Sequence, residues 1–292
     1  MTAGRSSLIS TSISDPGRPL LKWAGGKRQL LHAILRHLPD SINTYYEPFV
    51  GGGAVFFALA AEKRFKKAVL SDQNEELILT YRAIRNNVGK VIELLSKMPH
   101  SEDAYYEVRA QRPRSAEKRA ARMIYLNRTG YNGLYRVNRS GQFNVPFGRY
   151  VRPNICDEER LVSVARALRG VRLEVADFGR HCVRAGPGDA VYFDPPYVPV
   201  SATARFAEYQ STPFTTQEHE RLAQLYQELS YRGVDVVLSN SDTPLTRKLF
   251  QACDYEIVSA RRSINSASGG RGPTSELLVY QGAPGISVGA VG

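Results

Sequence analysis

Asn43-Thr-Tyr-Tyr-Glu-Pro-Phe-Val-Gly-Gly-Gly-Ala54 reads as a short strand that runs into a glycine turn and then opens a helix. The helical pattern continues to Ala61, and Ala68-Val-Leu-Ser71 is a buried strand ending at Asp72. Strand, glycine turn, helix, strand and acid make half of an α/β nucleotide-binding unit. Asp72 follows Gly51 by 21 residues, the offset at which an acid meets ribose hydroxyls in such units. Gly51 and Gly53 let the backbone approach a ligand closely. Position 56 is Phe, where a dinucleotide fingerprint has its third glycine. The turn therefore suits a nucleoside ligand without a pyrophosphate, unless it is a plain structural turn.

Upstream, Leu30, Leu31, Ile34, Leu35 and Leu38 share one helical face. Downstream the pattern changes. Residues 75–127 read mainly as helices, and 127–152 as turns and a hairpin. Then α/β alternation resumes. Val171 to Ala176 is a strand ending at Asp177, Ala190 to Phe193 ends at Asp194, and Val234 to Leu238 ends at Ser239-Asn240. Thr215, three before Glu218, forms a capping box for the intervening helix. Glu256 to Ser259 and Leu277 to Tyr280 make a closing pair of strands.

This predicts an α/β fold: a Rossmann-like, seven-stranded mixed sheet with an inserted, mainly helical domain containing a β-hairpin. The catalytic domain is discontinuous, 20–74 and 157–283, around an insertion at 75–156. A disordered tail is expected at 1–19 and a flexible one at 284–292.

The 292 residues carry 39 Lys+Arg against 28 Asp+Glu, a net charge of +11 that suits a polyanion. Between Tyr105 and Arg152 stand eleven Lys/Arg and only Glu107 and Glu117, so this stretch supplies +9. It also holds Tyr125, Tyr131, Tyr135, Asn127, Asn132 and Asn138, a mixture able to stack on bases, bond their edges and neutralise phosphates. Asn132 can bond a base edge bidentately; Arg136 can read guanine or hold a phosphate. Arg112, Arg114, Lys118 and Arg119 read as phosphate neutralisers. Arg261, Arg262 and Arg271, among glycines, read equally as a phosphate grip or a surface loop.

Cys156, Cys182 and Cys253 have no metal or redox spacing, and no apolar run approaches membrane-spanning length. The expectation is a cytoplasmic chain, monomeric, with no metal and no membrane partner.

Asp194-Pro195-Pro196-Tyr197 is the sharpest motif. It ends a predicted strand, where open α/β sheets bind ligands. An amine attached to a nucleobase is a poor nucleophile, because its lone pair is delocalised into the ring. The Asp194 carboxylate and the Pro195 carbonyl can each accept one amine hydrogen, drawing the nitrogen toward tetrahedral geometry. Tyr197 can stack on the base. The work is positioning and electrostatics. An aspartate here does not exclude a cytosine amine.

Lys22-Trp23-Ala-Gly-Gly-Lys27 is not a P-loop, since Arg28 stands where Ser/Thr is required.

With these pieces together, the chain resembles the Dam-type DNA adenine methyltransferases over residues 20 to 281. The motifs LKWAGGK, YYEPFVGGGAVFF, NRTGYNGLYRVNRSGQFNVPFGRY, VYFDPPY, VLSNSDT and RRSI all stand in that family's order. The resemblance implies S-adenosyl-L-methionine as cofactor and a flipped adenine in double-stranded DNA as substrate. It implies that Trp23, Lys27, Phe49, Asp72, Asp177, Phe178 and Asp194 contact the cofactor. It implies that the segment from Arg128 to Arg149 enters the DNA. Lys22, Tyr131, Asn132, Leu134, Arg136, Pro146 and Arg149 match positions that read or hold a GATC-like site.

Overall fold

The computed structural model describes residues 18–23, 25, 27, 30–138, 140–199, 214–260 and 274–281. The tails expected at the two ends, apart from Arg18 and Pro19, together with Arg139 and the Arg261 to Gly272 loop, lie outside the described residues.

The apolar segments form the strands. β1 (Ile42–Glu47), β2 (Phe65–Asp72), β3 (Arg172–Val175), β4 (Ala190–Phe193), β5 (Asp235–Ser241), β6 (Asp254–Ala260) and β7 (Thr274–Tyr280) join one seven-stranded sheet in the order β3-β2-β1-β4-β5-β7-β6. The first five are parallel, and β7 runs antiparallel between β5 and β6. β4 is Ala-Val-Tyr-Phe and buried at every position, as a central parallel strand covered on both faces must be. Its order reverses between β1 and β4, so the carboxyl ends of those strands open the crevice where such sheets bind ligands.

Helix α1 (Leu31–Arg36) precedes β1. Helix α2 (Ala54–Ala61) is buried along nearly all its length, which its all-apolar sequence allows. It starts at Gly53, whose left-handed φ of 70° favours glycine. Phe56, at the missing-glycine position, is fully buried under the sheet core. Helix α3 (Glu75–Ser96) is capped by the Asn74 side chain and kinks at Asn87. α4 (Glu102–Ala110) and α5 (Ala116–Thr129) are capped by Ser101 and Ser115. α6 (Glu158–Ala167), the short α7 (Gly179–Cys182), α8 (Thr216–Tyr231) and α9 (Pro244–Leu249) complete the helices among the described residues. The expected Thr215 cap is present, accepting from the Glu218 N–H.

Two hydrophobic clusters flank the sheet. One holds Phe178, Val191, Phe193, Leu222 and Leu229. The other runs without a break from Tyr45, Phe56 and Leu70 through α3 to Tyr105, Tyr125, Phe143 and Val145. The inserted helices therefore share the core of the sheet, and α3 packs directly on β2 and β3. The hairpin is closed by isolated antiparallel bridges that join Gly130 to Phe147 and Val137 to Phe143, with further backbone bonds from the Tyr131 N–H to Pro146 and from the Asn144 N–H to Arg136.

Beneath the crevice, Glu47 is buried and its carboxylate accepts from the Tyr45 hydroxyl at 2.8 Å. Burial pushes its pKa up to about 8. A raised folded-state value means that its contribution to stability is complete below the unfolded pKa and is lost as pH rises toward 8. Glu47→Gln removes this titration. Its Tm relative to the native chain is expected to climb between pH 5 and pH 9, by several degrees at the upper end. A pH-independent Tm difference in calorimetry overturns this assignment.

Candidate active site and DNA interface

The carboxyl ends of β1, β2, β4 and β5 bring the motif residues to one edge. Asp72, at the end of β2, accepts from the Gly51 N–H at 3.1 Å and the Asn74 N–H at 2.9 Å. Burial pushes its pKa up to about 6, while those N–H groups oppose the shift. The Tyr81 hydroxyl donates to the Gly51 carbonyl at 2.8 Å and fixes the turn from below. Above it lies Trp23: a Cβ on Gly51 would meet the indole at 2.7 Å. Trp23 also stacks on Tyr135 of the hairpin, centroids 5.7 Å apart.

Asp194 follows β4. The Ser239 hydroxyl, on β5, donates to its Oδ1 at 3.1 Å, and the Lys27 ammonium lies 2.8 Å from the same oxygen. Burial raises the Asp194 pKa and Lys27 opposes that rise. The Lys27 ammonium also stands 4.6 Å from the centre of the Tyr197 ring. Val198 N–H donates to the Asn240 side chain at 3.0 Å. The Asp194 to Val198 loop is thus anchored on β5, and Pro195 is buried within it.

On the other side of the crevice, Phe49 stacks on buried Phe178 at 5.5 Å. Asp177 is engaged by Arg221 of α8 through two bonds, 2.8 and 2.6 Å, and the guanidinium lies 3.9 Å over the Phe178 ring. No pattern in the sequence singled out Arg221; a helix-face arginine is unremarkable until the fold sets it opposite Asp177.

The basic stretch divides in two. Lys22, Tyr131, Pro146 and Arg149 are exposed; the Lys22 ammonium lies 4.5 Å over the Tyr150 ring. Asn132 and Arg149 hold left-handed backbone, φ 54° and 50°, which is costly for residues with side chains. Leu134 is half-buried. Arg136 donates to the Asn144 side chain and carbonyl, at 2.7 and 3.0 Å, and braces the hairpin. The Asn138 side chain accepts from the Ser140 and Gln142 N–H groups and shapes the hairpin tip.

Other expectations for this stretch are corrected. Arg128 turns into the protein and donates to the Leu20 carbonyl at 2.8 Å. Arg119 pairs with Glu76 and Glu75, tying α5 to α3, and is not a free phosphate neutraliser. Arg122 and Arg109 donate to backbone carbonyls. Tyr125 and Asn127 are buried and reach no base. Asn127 instead accepts from the Lys22 N–H and donates to the carbonyls of Lys22 and Gly133, at 2.8, 2.8 and 2.9 Å.

The family model for D12 class N6 adenine-specific DNA methyltransferases matches residues 23–264. The chain belongs to that family. It is 40% identical over 272 residues to a type II methyltransferase of Lactococcus lactis subsp. cremoris, covering 90% of this chain and 94% of that one. It is 41% identical over 268 residues to a type II methyltransferase of Methanocaldococcus jannaschii, covering 85% and 93%. To the DNA adenine methylase of Escherichia coli it is 39% identical over 267 residues, covering 89% and 94%. The chain is thus a site-specific DNA adenine methyltransferase. Among the described residues no group of His, Cys, Asp or Glu could hold a metal ion, and no helix is long and apolar enough to cross a membrane.

Proposed function

We propose that this methyltransferase, acting as a cytoplasmic monomer, transfers a methyl group from S-adenosyl-L-methionine to N6 of an adenine flipped out of duplex DNA at a GATC-like site. The observation that carries the reading is the Asp194 carboxylate, half-buried, held by Ser239 and paired with the Lys27 ammonium that lies over the Tyr197 ring. The ring stacks on the base; Asp194 and the Pro195 carbonyl accept the two amine hydrogens and localise the nitrogen lone pair.

The residues at the crevice fit the cofactor. The Asp72 carboxylate is held by the backbone N–H groups of Gly51, Asn74 and Gln73, and its remaining lone pairs can accept from hydroxyl donors. Glycines 51 and 53 turn the backbone beside it through left-handed φ, and Phe49 and Phe178 form an apolar wall. When bound, S-adenosyl-L-methionine supplies a sulfonium methyl, and the transfer leaves a neutral thioether. The amine nitrogen must then shed a proton, and Asp194 is the acceptor beside it. Lys27 now occupies the Asp194 oxygen and the Tyr197 face that the target base needs, so its ammonium must withdraw as the base enters.

Recognition falls to the hairpin and Lys22. Asn132→Ala is expected to reduce discrimination between GATC and its one-base variants by about 1–3 kcal/mol. Methylation rates on a panel of near-cognate duplexes check this; equal slowing on every duplex makes the hairpin an anchor only. The whole reading is tested by digesting methylated plasmid with endonucleases sensitive and insensitive to adenine methylation in GATC. Cleavage unaffected by the enzyme, with methyl incorporation intact, assigns another site.

A further inference from the structure

Tyr197 closes the Asp194 loop, and its hydroxyl donates to Glu276 Oε2 at 2.6 Å, from a residue 79 positions away. A hydroxyl that donates to a carboxylate makes the stronger kind of hydrogen bond. Burial and the Asp194 charge push the Tyr197 pKa far upward, so the phenol remains a donor at any working pH. Glu276 stands on β7, and its register partner across the antiparallel ladder is Ser241 of β5. β5 also supplies Ser239 to Asp194 and Asn240 to the Val198 N–H. The loop therefore has three anchors, all on one paired set of strands, and strands hold geometry more tightly than loops do.

We propose that Glu276 is a positioning residue for methyl transfer: by fixing the far end of the Tyr197 ring it sets the direction of the ring axis, and so the surface on which the target base lies. The inference rests on the reading that Tyr197 stacks on that base. A phenol pinned at its oxygen cannot swing about the bond to its backbone. Without the pin the ring can leave the line that brings the amine to Asp194. The Lys27 ammonium on the ring's face steadies it only until the base displaces it.

The test is a cycle of variants in the full chain. Glu276→Ala and Tyr197→Phe should each lower kcat about tenfold, the worth of one charged hydrogen bond, with KM for DNA little changed. The double variant should be no slower than either single one. Glu276→Gln keeps an acceptor and should recover most of the rate. Binding to duplexes with 2-aminopurine at the target should give altered emission in Glu276→Ala and Tyr197→Phe alike. Independent, multiplying losses overturn the proposal, because Glu276 would then act by its charge on Asp194 or by stabilising the sheet. So does a Glu276→Gln variant as slow as Glu276→Ala. If Glu276→Ala does not fold, Glu276→Gln with and without Tyr197→Phe completes the cycle. Tyr197→Ala separates the two readings: native turnover there removes the stacking role itself, whereas a crippled Tyr197→Ala beside an unaffected Glu276→Ala removes only Glu276.

Discussion

Asp194→Ala lowers the rate of methyl transfer by about 10²–10³-fold or more, the scale on which a single preorganised polar group at the reacting atom acts. The amine of adenine cannot attack while its lone pair is shared with the ring, and in the proposed mechanism Asp194 accepts one of its hydrogens. The substitution should leave the fold intact, because the neighbouring Ser239 hydroxyl keeps its bond to the Tyr192 hydroxyl at 2.9 Å. DNA affinity should stay near native or rise, since a negative charge leaves the site. Single-turnover rates at saturating cofactor and DNA are the measurement. A rate within about threefold of native contradicts the mechanism, for a group at the reacting amine cannot be that dispensable.

The second large effect lies away from the chemistry. Asn127→Ala removes three hydrogen bonds at once, one buried and two part-buried, and leaves the Lys22 N–H and the carbonyls of Lys22 and Gly133 without that partner. Each buried group so exposed costs about 1–3 kcal/mol, so a loss of roughly 3 kcal/mol or more is expected in denaturant titrations. Function should fall further than stability. Asn127 fixes the backbone of Lys22 against the turn that carries Tyr131 and Asn132, so specific DNA binding should weaken while cofactor binding persists. Gly133 is part of this joint: its φ is +62°, and a Cβ there would meet the Lys22 side chain at 2.4 Å. Loss of stability without loss of discrimination between cognate and near-cognate duplexes would make Asn127 a packing residue only.

The glycine turn, Asp72 and the Asp194 loop were legible in the sequence because their spacing follows from strand, turn and helix geometry along a continuous stretch of chain. The strand succession, including the closing pair, followed from apolar runs of the right length. What periodicity could not separate was the arginines. Arg112 and Arg119 look alike as letters, yet only the packing of α5 on α3 sets Arg119 against Glu76. Arg128 has the same ambiguity, resolved by the Leu20 carbonyl beside it. Glu276 and Arg221 carried no signal, because each meets its partner only through tertiary pairing. Asn127 was misread for a related reason: an amide among tyrosines and arginines resembles a base reader, and burial alone distinguishes it.

The unbroken core from the sheet into the inserted helices bears on how sequence specificity can be changed. A recognition unit with a core of its own could be exchanged between relatives like a cassette. Here an exchange at residues 75–156 would cut through Tyr81, Ile84 and Leu95, which pack in the same cluster as Leu70 and Leu173. On the proposed recognition role, new specificities are therefore accessible by point substitution at the exposed positions of the hairpin, such as Tyr131, Pro146 and Arg149, and not by transplanting the helices beneath it.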